Sequence, residues 1–345
     1  MGAPLPEACT MQYVKFGNTG IMVSRLCLGA MEFPDTLEES EAVALLDEAL
    51  DSGINFVDTA DAYGRGSSEE FLGRALTPEK RDKIILATKC WVVMKPPDRN
   101  TGGCSRYHII QAVEDSLRRM RTDRIDLYQL HHPHPETPVE ETLSALDALV
   151  KQGKIRYIGV CNYFAWQVAH ALGVSALHHW EPFASMQVRY NLLDRGIERE
   201  TAPFCRRFNI AIMGYGPLDG GILSGKYKRG EPIPEGSRVS KIKQMQDYLT
   251  DQTFDILDEL TAMAAKYDLA LNQLAVAWIL TKPFVTTPIL GGKKPEHFRP
   301  MYGLCEVVLD PADVARIDEL SQHTLYRPHS NQPMTEGSSL ALNRW

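Results

Sequence analysis

The sequence predicts an α/β fold, a closed barrel of eight parallel strands with helices between them, and two observations predict it. Eight short apolar runs recur along the 345 residues, and most are followed by a segment of helical period. Several runs also end on an ionisable residue, which is typical of barrel strands whose carboxyl ends share one mouth. The eight runs are residues 25–31, 54–60, 83–89, 125–131, 155–161, 184–190, 209–215 and 285–291.

An N-terminal β-hairpin is predicted before the first run. Residues 13–24 alternate apolar and polar positions around a Gly-Asn-Thr-Gly turn. A doubly wound sheet is the main rival to the barrel, because it also alternates strands and helices. The GxGxxG turn that such a sheet ordinarily uses for a dinucleotide is missing from residues 26–35. The (β/α)8 TIM barrel is therefore the favoured fold.

Six helices are predicted from their apolar period and their end signals. Residues 138–151 start on Pro138, carry Glu140 and Glu141 in the first turn, and stop before Gly153. This is the usual chemistry of helix starts and stops. The predicted helices are residues 36–52, 107–120, 138–151, 251–267, 271–281 and 311–321.

The chain is predicted to form one domain over residues 1–345, with a core at about 11–321 and a polar tail at 322–345. No further repeat and no shift of composition marks a boundary. Two connections, residues 90–106 and 216–250, are longer than usual loops, and long loops at the carboxyl side of a barrel commonly cover a ligand site. Whether the tail also folds over that site stays open.

Composition and charge favour a small-molecule partner. The formal charge of −7 comes from 37 basic and 44 acidic residues without a basic run, which argues against a nucleic-acid surface. The chain lacks the roughly 18 consecutive apolar residues of a transmembrane helix, and its start lacks the apolar centre of a signal peptide. We therefore expect a cytoplasmic protein, and a homo-oligomer is compatible with the sequence. The seven cysteines form no CxxC pair and are predicted to be reduced thiols.

Four side chains near the ends of three successive runs suit carbonyl chemistry. They are Asp58, Tyr63, Lys89 and His131. Each alone has an ordinary structural explanation, as a capping carboxylate, a loop aromatic, a solvated lysine or a hydrogen-bonded histidine. The combination favours one shared site, because a parallel barrel brings the carboxyl ends of its strands together.

The ordered motifs of the chain resemble those of the aldo-keto reductase superfamily over about residues 11–321. The resemblance rests on NFVDTADAYG, LATK, DLYQLHHP, GKIRYIGVCN, QVRYN, GYGPLDGGILSGKY and PILGG. The branch it resembles most includes bacterial and fungal reductases and potassium-channel β subunits. The resemblance implies an NADP-dependent oxidoreductase that interconverts an aldehyde or ketone, such as a sugar-derived or natural-product compound, and its alcohol. A cofactor-binding regulatory subunit is the alternative within this branch.

The resemblance also implies a role for each of the four residues. Tyr63 would be the general acid and base, and the ammonium of Lys89 would bring the pKa of the Tyr63 phenol toward the working range. Asp58 would pair with Lys89. His131 would orient the carbonyl and, with Tyr63, stabilise the developing oxyanion.

Three groups of residues are implied to bind NADP(H). Asn162 and Gln187 match the nicotinamide carboxamide, and Tyr215 matches the face of its ring. A glycine-rich loop and a second glycine motif before a predicted short helix offer backbone amides to phosphates. Lys293 or Lys294 would pair with a 2′-phosphate. The loop residues are Gly216, Pro217, Leu218, Gly225 and Lys226, and the second motif contributes Gly291, Gly292, Lys293 and His297.

Several positions depart from the family's pattern. Cys161 and Gly216 stand where relatives often have serine, so two potential hydroxyl contacts are missing. Pro300 and Met301 stand about where many relatives present Glu-Asn to adenine. These departures weaken the predicted cofactor contacts more than the predicted catalytic ones.

The substrate mouth is predicted to combine aromatic and polar side chains. Its candidate residues are Phe33, Trp91, His132 and Tyr163, with Leu218 and Asp219 nearby. A zinc site at His131, His132 and His134 is disfavoured, because ligands this close along an extended segment with Pro133 cannot easily converge tetrahedrally. A metal-assisted hydrolase or a redox-neutral isomerase on the same barrel is the third functional class.

Overall fold

Eight parallel strands close into a barrel in a computed structural model that describes residues 11–33, 39–95, 98–292 and 294–326. Every strand pairs with its neighbours in chain order, and the last strand pairs with the first. The predicted (β/α)8 TIM barrel is therefore confirmed. The barrel strands are β3 Cys27–Gly29, β4 Phe56–Asp58, β5 Ile85–Cys90, β6 Ile125–Leu130, β7 Ile155–Cys161, β8 Phe183–Arg189, β9 Ala211–Tyr215 and β10 Thr287–Leu290.

The predicted hairpin closes the amino-terminal end of the barrel. Strands β1 Tyr13–Lys15 and β2 Met22–Ser24 pair antiparallel, and Phe16 beside them is fully buried. The ring of Phe16 packs edge-on against Phe56 with 5.5 Å between centroids. At Gly17, where φ is +56°, a Cβ atom would come within 2.8 Å of the backbone of Asn209 and Ala211. Only glycine allows the hairpin turn to sit this close to the strand.

The described helices surround the barrel. Five of the six predicted helices are found with each end within one residue of its predicted position. The predicted start of the sixth, residues 36–38, lies outside the described residues. The helices are α1 Glu39–Asp51, α2 Ser67–Ala75, α3 Pro78–Arg81, α4 Arg106–Met120, α5 Val139–Lys151, α6 Ala165–His178, α7 Thr201–Phe208, α8 Arg238–Lys241, α9 Asp251–Lys266, α10 Leu271–Leu280 and α11 Pro311–Leu320.

Among the described residues, the cysteines form no disulfide and no helix could span a membrane. The six cysteines among them are free thiols, five of them buried. Within the same ranges, no helix combines the length and the apolar character that a bilayer crossing needs. Cys9 and residues 327–345 lie outside the description, and the single domain over residues 1–345 stays a prediction.

Candidate active site

Asp58 and Lys89 form a buried ion pair at the carboxyl end of the barrel. β4 ends on Asp58, and Lys89 is the penultimate residue of the adjacent β5. Lys89 Nζ lies 2.6 Å from Asp58 Oδ2 and donates to the carbonyl oxygen of Thr59 at 2.8 Å. Burial lowers the pKa of Lys89, but the charge of Asp58 and the hydrogen bond to it outweigh burial and hold the pKa above its usual range. Lys89 is therefore a permanent cation at neutral pH.

The same ammonium reaches the phenol of Tyr63. Tyr63 opens a short 3-10 turn, Tyr63–Gly66, in the segment between β4 and α2, and the chain has a positive φ at Gly64 and Gly66. Lys89 Nζ donates to the hydroxyl oxygen at 3.2 Å. Burial raises the pKa of Tyr63, and the opposing charge of Lys89 does not reverse this shift. The expectation of a lowered pKa is thus corrected, and the phenol keeps its proton at neutral pH.

His131 lies beside Tyr63 as a neutral imidazole. It follows β6, and its backbone N–H donates to the carbonyl oxygen of Cys90 at 3.0 Å. The rings of Tyr63 and His131 meet edge to face with 5.7 Å between centroids. Burial, then the charge of Lys89 and the contact with His132, lower the pKa of His131 well below its usual range. Lys89 is thus the cation of the site, and His131 offers a neutral ring.

Two glutamines complete the environment of Asp58. Its Oδ1 accepts hydrogen bonds from Gln129 Nε2 at 3.0 Å and from Gln187 Nε2 at 2.9 Å. The Gln187 amide also donates to Gln129 Oε1 at 3.2 Å. Gln129 is a residue that the sequence analysis missed. Its signal is the strand period, because Gln129 lies two residues before His131 and therefore on the same face.

Asn162 ties the histidine segment to β9. It follows β7 with a left-handed φ of +62°, which asparagine tolerates better than most residues. Its Nδ2 donates to the carbonyl oxygen of His131 at 3.0 Å and lies 3.5 Å from His132 Nδ1. Its Oδ1 accepts from the hydroxyl of Tyr215 at 3.0 Å. The predicted carboxamide residues Asn162 and Gln187, and Tyr215, which was predicted to lie at the face of the nicotinamide ring, therefore lie in one connected network with the catalytic candidates.

The glycine-rich loop follows β9 as predicted. Gly216 and Gly225 both have positive φ, Leu218 between them is half-buried, Pro217 is buried and Lys226 is exposed. A Cβ atom at position 221 would lie 2.9 Å from the ammonium nitrogen of Lys226. Lys226 therefore lies close over the backbone of the loop.

Asp219 in this loop does not line the mouth as expected. Its side chain is buried and forms an ion pair with Arg189 at the end of β8. Asn191 assists by donating to the carbonyl oxygen of Gly216 at 2.9 Å. These two partners, which sequence reasoning missed, fasten the loop to the barrel rim.

The second glycine motif follows β10. A Cβ atom at Gly292 would approach the Cβ of His297 to 2.7 Å, so the motif folds back tightly on itself. The predicted short helix is a 3-10 turn of three residues, Pro295–His297, and this turn has a smaller dipole for a phosphate than an α-helix. Gly291, Lys294 and His297 are exposed. Lys293 lies outside the described residues.

Of the four predicted substrate residues, Trp91 and His132 contact each other beside His131, whereas Phe33 lies in the core. Trp91 contacts the ring of His132 at 5.0 Å between centroids, and Tyr163 is half-buried. Phe33 is 1% exposed and packs edge-on against Phe71 at 5.4 Å. The expectation for Phe33 is therefore corrected, because its ring belongs to the core beneath α2.

The described residues form no metal cluster, and a cleft beside α4 is lined by residues other than the predicted site residues. No group of three or more His, Cys, Asp or Glu side chains in the described ranges is placed to hold a metal ion. A cleft of about 240 Å³ lies between α4 and the loop after β5. None of the predicted site residues lines that cleft. The candidate site is thus defined by the geometry of its side chains at the barrel mouth.

Comparison with known proteins identifies the family. A sequence model of the aldo/keto reductase family matches residues 25–322. The aldo-keto reductase YhdN of Bacillus subtilis (strain 168) is 33% identical over 328 residues, covering 92% of this chain and 96% of the relative. The oxidoreductase YrpG of the same organism is 32% identical over 319 residues, with coverages of 90% and 96%. Versiconal hemiacetal acetate reductase of Aspergillus parasiticus is 30% identical over 335 residues, again with coverages of 90% and 96%.

These matches span nearly all of the described barrel, from β3 to the helix that follows β10. The chain therefore belongs to the aldo/keto reductase family, whose members are oxidoreductases that use a nicotinamide cofactor.

Proposed function

We propose that the protein is an NADP-dependent carbonyl reductase or alcohol dehydrogenase with Tyr63 as its general acid and base, the direction being set by the cofactor ratio and the substrate. One observation carries the proposal. Asp58, Lys89 and Tyr63 form a continuous polar chain with separations of 2.6 and 3.2 Å, and the neutral ring of His131 lies beside the phenol. This arrangement suits proton transfer to an oxygen at the barrel mouth.

The proton chemistry follows from the two pKa shifts. Because burial raises the pKa of Tyr63, the phenol holds a proton at neutral pH and donates it when a carbonyl oxygen becomes basic during reduction. The resulting phenolate is stabilised by the ammonium of Lys89, which Asp58 keeps charged. In the opposite direction the phenolate takes the proton of an alcohol. Neutral His131 donates a hydrogen bond to the same oxygen.

The polar residues around the mouth fit a nicotinamide. When bound, that cofactor supplies or accepts the hydride. Both N–H donors of Gln187 are used by Asp58 and Gln129, so its Oε1 is the atom left for the NH2 of a carboxamide. The glycine loop brings backbone amides to the rim, and the ammonium of Lys226 lies close over them. Exposed Lys226 and Lys294 supply positive charge for phosphates, which favours NADP over NAD.

The proposed substrates are aldehydes or ketones that also carry oxygen, such as sugar-derived or natural-product compounds. Trp91 and His132 support this class, because an aromatic wall beside a polar ring accepts a partly polar molecule. One relative is named as a reductase of versiconal hemiacetal acetate.

The replacement Tyr63→Phe tests the proposal, since it removes only the hydroxyl. We expect kcat for aldehyde reduction to fall about 10²- to 10⁴-fold, the usual contribution of a positioned general acid. NADPH binding, followed by quenching of tryptophan fluorescence, should change less than about twofold, because removal of one hydrogen-bonding group outside the cofactor contacts leaves them intact.

Tyr13→Phe is the matched control, because Tyr13 lies in the hairpin and donates to the carbonyl oxygen of Gly53 far from the mouth. It should leave kcat unchanged. Equal turnover by wild type and Tyr63→Phe would reject the assignment of Tyr63.

A further inference from the structure

The carboxylate of Glu69 connects three elements of the barrel. Glu69 lies in the first turn of α2, and its side chain is fully buried. Its Oε1 accepts a hydrogen bond from Thr88 Oγ1 of β5 at 2.5 Å, and its Oε2 accepts one from Arg119 Nε of α4 at 2.6 Å. One buried carboxylate therefore bonds α2 both to a strand and to a second helix.

Each of these bonds ends next to a segment that carries a catalytic candidate. Thr88 is the residue before Lys89 in β5. Arg119 packs against Gly66, which is the last residue of the turn that Tyr63 opens and the residue before α2. Gly66 has a φ of +97°, and a Cβ atom there would lie 2.8 Å from Cδ of Arg119. The side chain of Arg119 therefore lies directly over the backbone of this turn.

The hydrogen bond between the phenol and the ammonium depends on how these segments are held together. Tyr63 and Lys89 lie on different elements, and their separation of 3.2 Å is at the long end of the usual range. A small displacement of the turn away from β5 would break this hydrogen bond. Both carboxylate oxygens of Glu69 are bonded to other residues, so Glu69 acts on the separation through the segments that it joins.

We propose that Glu69 is a positioning residue, which holds the turn of Tyr63 at the distance from β5 that the hydrogen bond to Lys89 requires. The inference rests on the proposed function and adds to it a residue that acts through Tyr63. The ion pair of Glu69 and Arg119 fixes the turn from one side, and the bond from Thr88 fixes α2 to the strand.

The variant Glu69→Gln tests the inference, because it keeps the size of the side chain and an acceptor for Thr88 but removes the charge that holds Arg119. The side chain of Arg119 is 19% exposed, so water can solvate its charge in the folded variant. We expect kcat for aldehyde reduction with NADPH to fall about tenfold, and about 100-fold in Glu69→Ala, since a misplacement of about 1 Å can cost that much. The KM for the aldehyde and the dissociation constant of NADPH should change less than about twofold, because the reacting proton and not substrate binding is affected.

Combination with Tyr63→Phe separates positioning from a general disturbance of the mouth. If Glu69 acts through the phenol, Glu69→Gln should change the residual kcat of the Tyr63→Phe protein by less than about twofold, because the group that it positions is already absent. A fall of kcat by the same factor in both backgrounds would overturn the inference. Glu69→Gln decides the test if Glu69→Ala does not fold.

Asp126→Asn is the matched control, because Asp126 is another buried carboxylate that is bonded to a guanidinium and to β5. Its Oδ2 lies 2.8 Å from Arg81 Nη1 and accepts from the backbone N–H of Leu86 at 2.9 Å, near the start of β5 and away from the mouth. The control should lose stability in urea as Glu69→Gln does, but it should keep kcat. An equal fall of kcat in the two variants would assign the effect to lost stability and overturn the inference.

The failure of the inference differs from that of the proposed function. If kcat is unchanged in Glu69→Gln and Glu69→Ala while Tyr63→Phe loses turnover, the inference is wrong and the proposed function stands. If Tyr63→Phe kept the turnover of the wild type, the proposed function would fail first and the inference with it.

Discussion

The two ends of the barrel interior differ in what fills them. The amino-terminal end is packed with apolar side chains around Phe16 of the hairpin and Phe56 of β4. The carboxyl-terminal end holds the Asp58 and Lys89 ion pair and two glutamines that donate to it. One end contributes hydrophobic burial and close packing, whereas the other places charge where water is largely excluded.

The residues that could perform chemistry thus lie at one end of the barrel, and the close apolar packing that stabilises the fold lies at the other. At the mouth, Nδ1 of His131 and Nε1 of Trp91 are buried with no hydrogen-bond partner in the part of the chain that the structure describes, and Asn162 has a left-handed backbone. Such features cost free energy and persist only if the rest of the fold supports them. We therefore expect changes at the mouth to alter turnover, and changes at the hairpin end to alter stability alone.

The largest expected effect comes from Lys89→Met, which removes the cation of the mouth. Asp58 would be left buried without its counter-ion, and breaking a buried pair costs about 3–5 kcal/mol of unfolding free energy. Turnover should fall at least about 100-fold, because the phenolate of Tyr63 loses its stabilising charge. Urea unfolding and steady-state reduction of an aldehyde measure the two effects.

A second buried lysine provides the control for this change. Lys282 is bonded to Asp318 through two contacts of 2.7 Å, away from the mouth. Lys282→Met should lower stability without changing kcat. In the double variant Lys89→Met with Asp58→Asn, we expect stability to recover while turnover stays low. Recovery of turnover together with stability would mean that Lys89 acts only through the fold.

At the opposite end, Phe16→Ala should lower the free energy of unfolding by about 3–5 kcal/mol, as expected for a fully buried phenylalanine. Because Phe16 packs on Phe56 and not on the catalytic residues, kcat at a temperature well below unfolding should be unchanged. Met22→Ala, at a residue of the same hairpin that is 49% exposed, should have little effect on either quantity. A fall of kcat in Phe16→Ala would mean that the two ends are coupled.

The sequence predicted the barrel well because its signals are local. The apolar runs and helix end signals, such as Pro138 and Gly153 around α5, act within a few residues and gave element bounds close to those observed. Helix α6, with 14 residues, was not predicted, because its apolar residues lie all round it and leave Trp166 and Leu177 exposed. Helices α2, α3, α7 and α8 were not predicted either, because each has only four to nine residues. Short helices of this kind are fixed by tertiary packing more than by their own period.

The sequence predicted the site residues that strand ends bring together. It did not predict the pKa shifts and the burial of side chains that depend on tertiary packing. Asp58, Lys89 and Tyr63 are connected by hydrogen bonds as expected. The sequence does not reveal that burial outweighs Lys89 in raising the pKa of Tyr63, since burial depends on the whole fold. The prediction that Phe33 lines the mouth is wrong for the same reason. Its ring packs in the core against Phe71, which lies 38 residues further along the chain.

The mouth should also make stability depend on pH. Burial lowers the pKa of His132 from 6.5 to about 4, so at pH 5 the unfolded chain binds a proton at this residue and the folded chain does not. Its contribution to stability is therefore present above pH 6.5 and is lost as the pH falls toward 4. Between pH 7 and pH 5 the loss is about 1–2 kcal/mol, with allowance for the partial exposure of the ring.

Urea unfolding at pH 7 and pH 5 checks this prediction in His132→Phe and in Phe16→Ala. The first variant should show a shallower pH dependence than wild type, because it lacks the imidazole. The second should lose the same free energy at both pH values. A pH dependence that is unchanged in His132→Phe would assign the effect to other groups.

The smallest expected effect comes from Cys161→Ser, a change within the mouth. Cys161 ends β7, is 1% exposed, and its Sγ lies 3.7 Å from Gln129 Oε1. Burial raises the pKa of the Cys161 thiol, which therefore stays a weak, neutral donor. In Cys161→Ser a stronger donor of similar size would stand next to Asn162, and we expect NADPH to bind about two- to fivefold more tightly with kcat unchanged.

Fluorescence titration with NADPH measures this change, and Cys205→Ser is its control. Cys205 is also buried, but its Sγ contacts the sulfur of Met186 outside the catalytic network. Serine there should lower stability and leave the dissociation constant unchanged, because a hydroxyl among apolar groups gains no acceptor. Weaker NADPH binding in Cys161→Ser would mean that packing against Gln129 matters more at this position than donor strength.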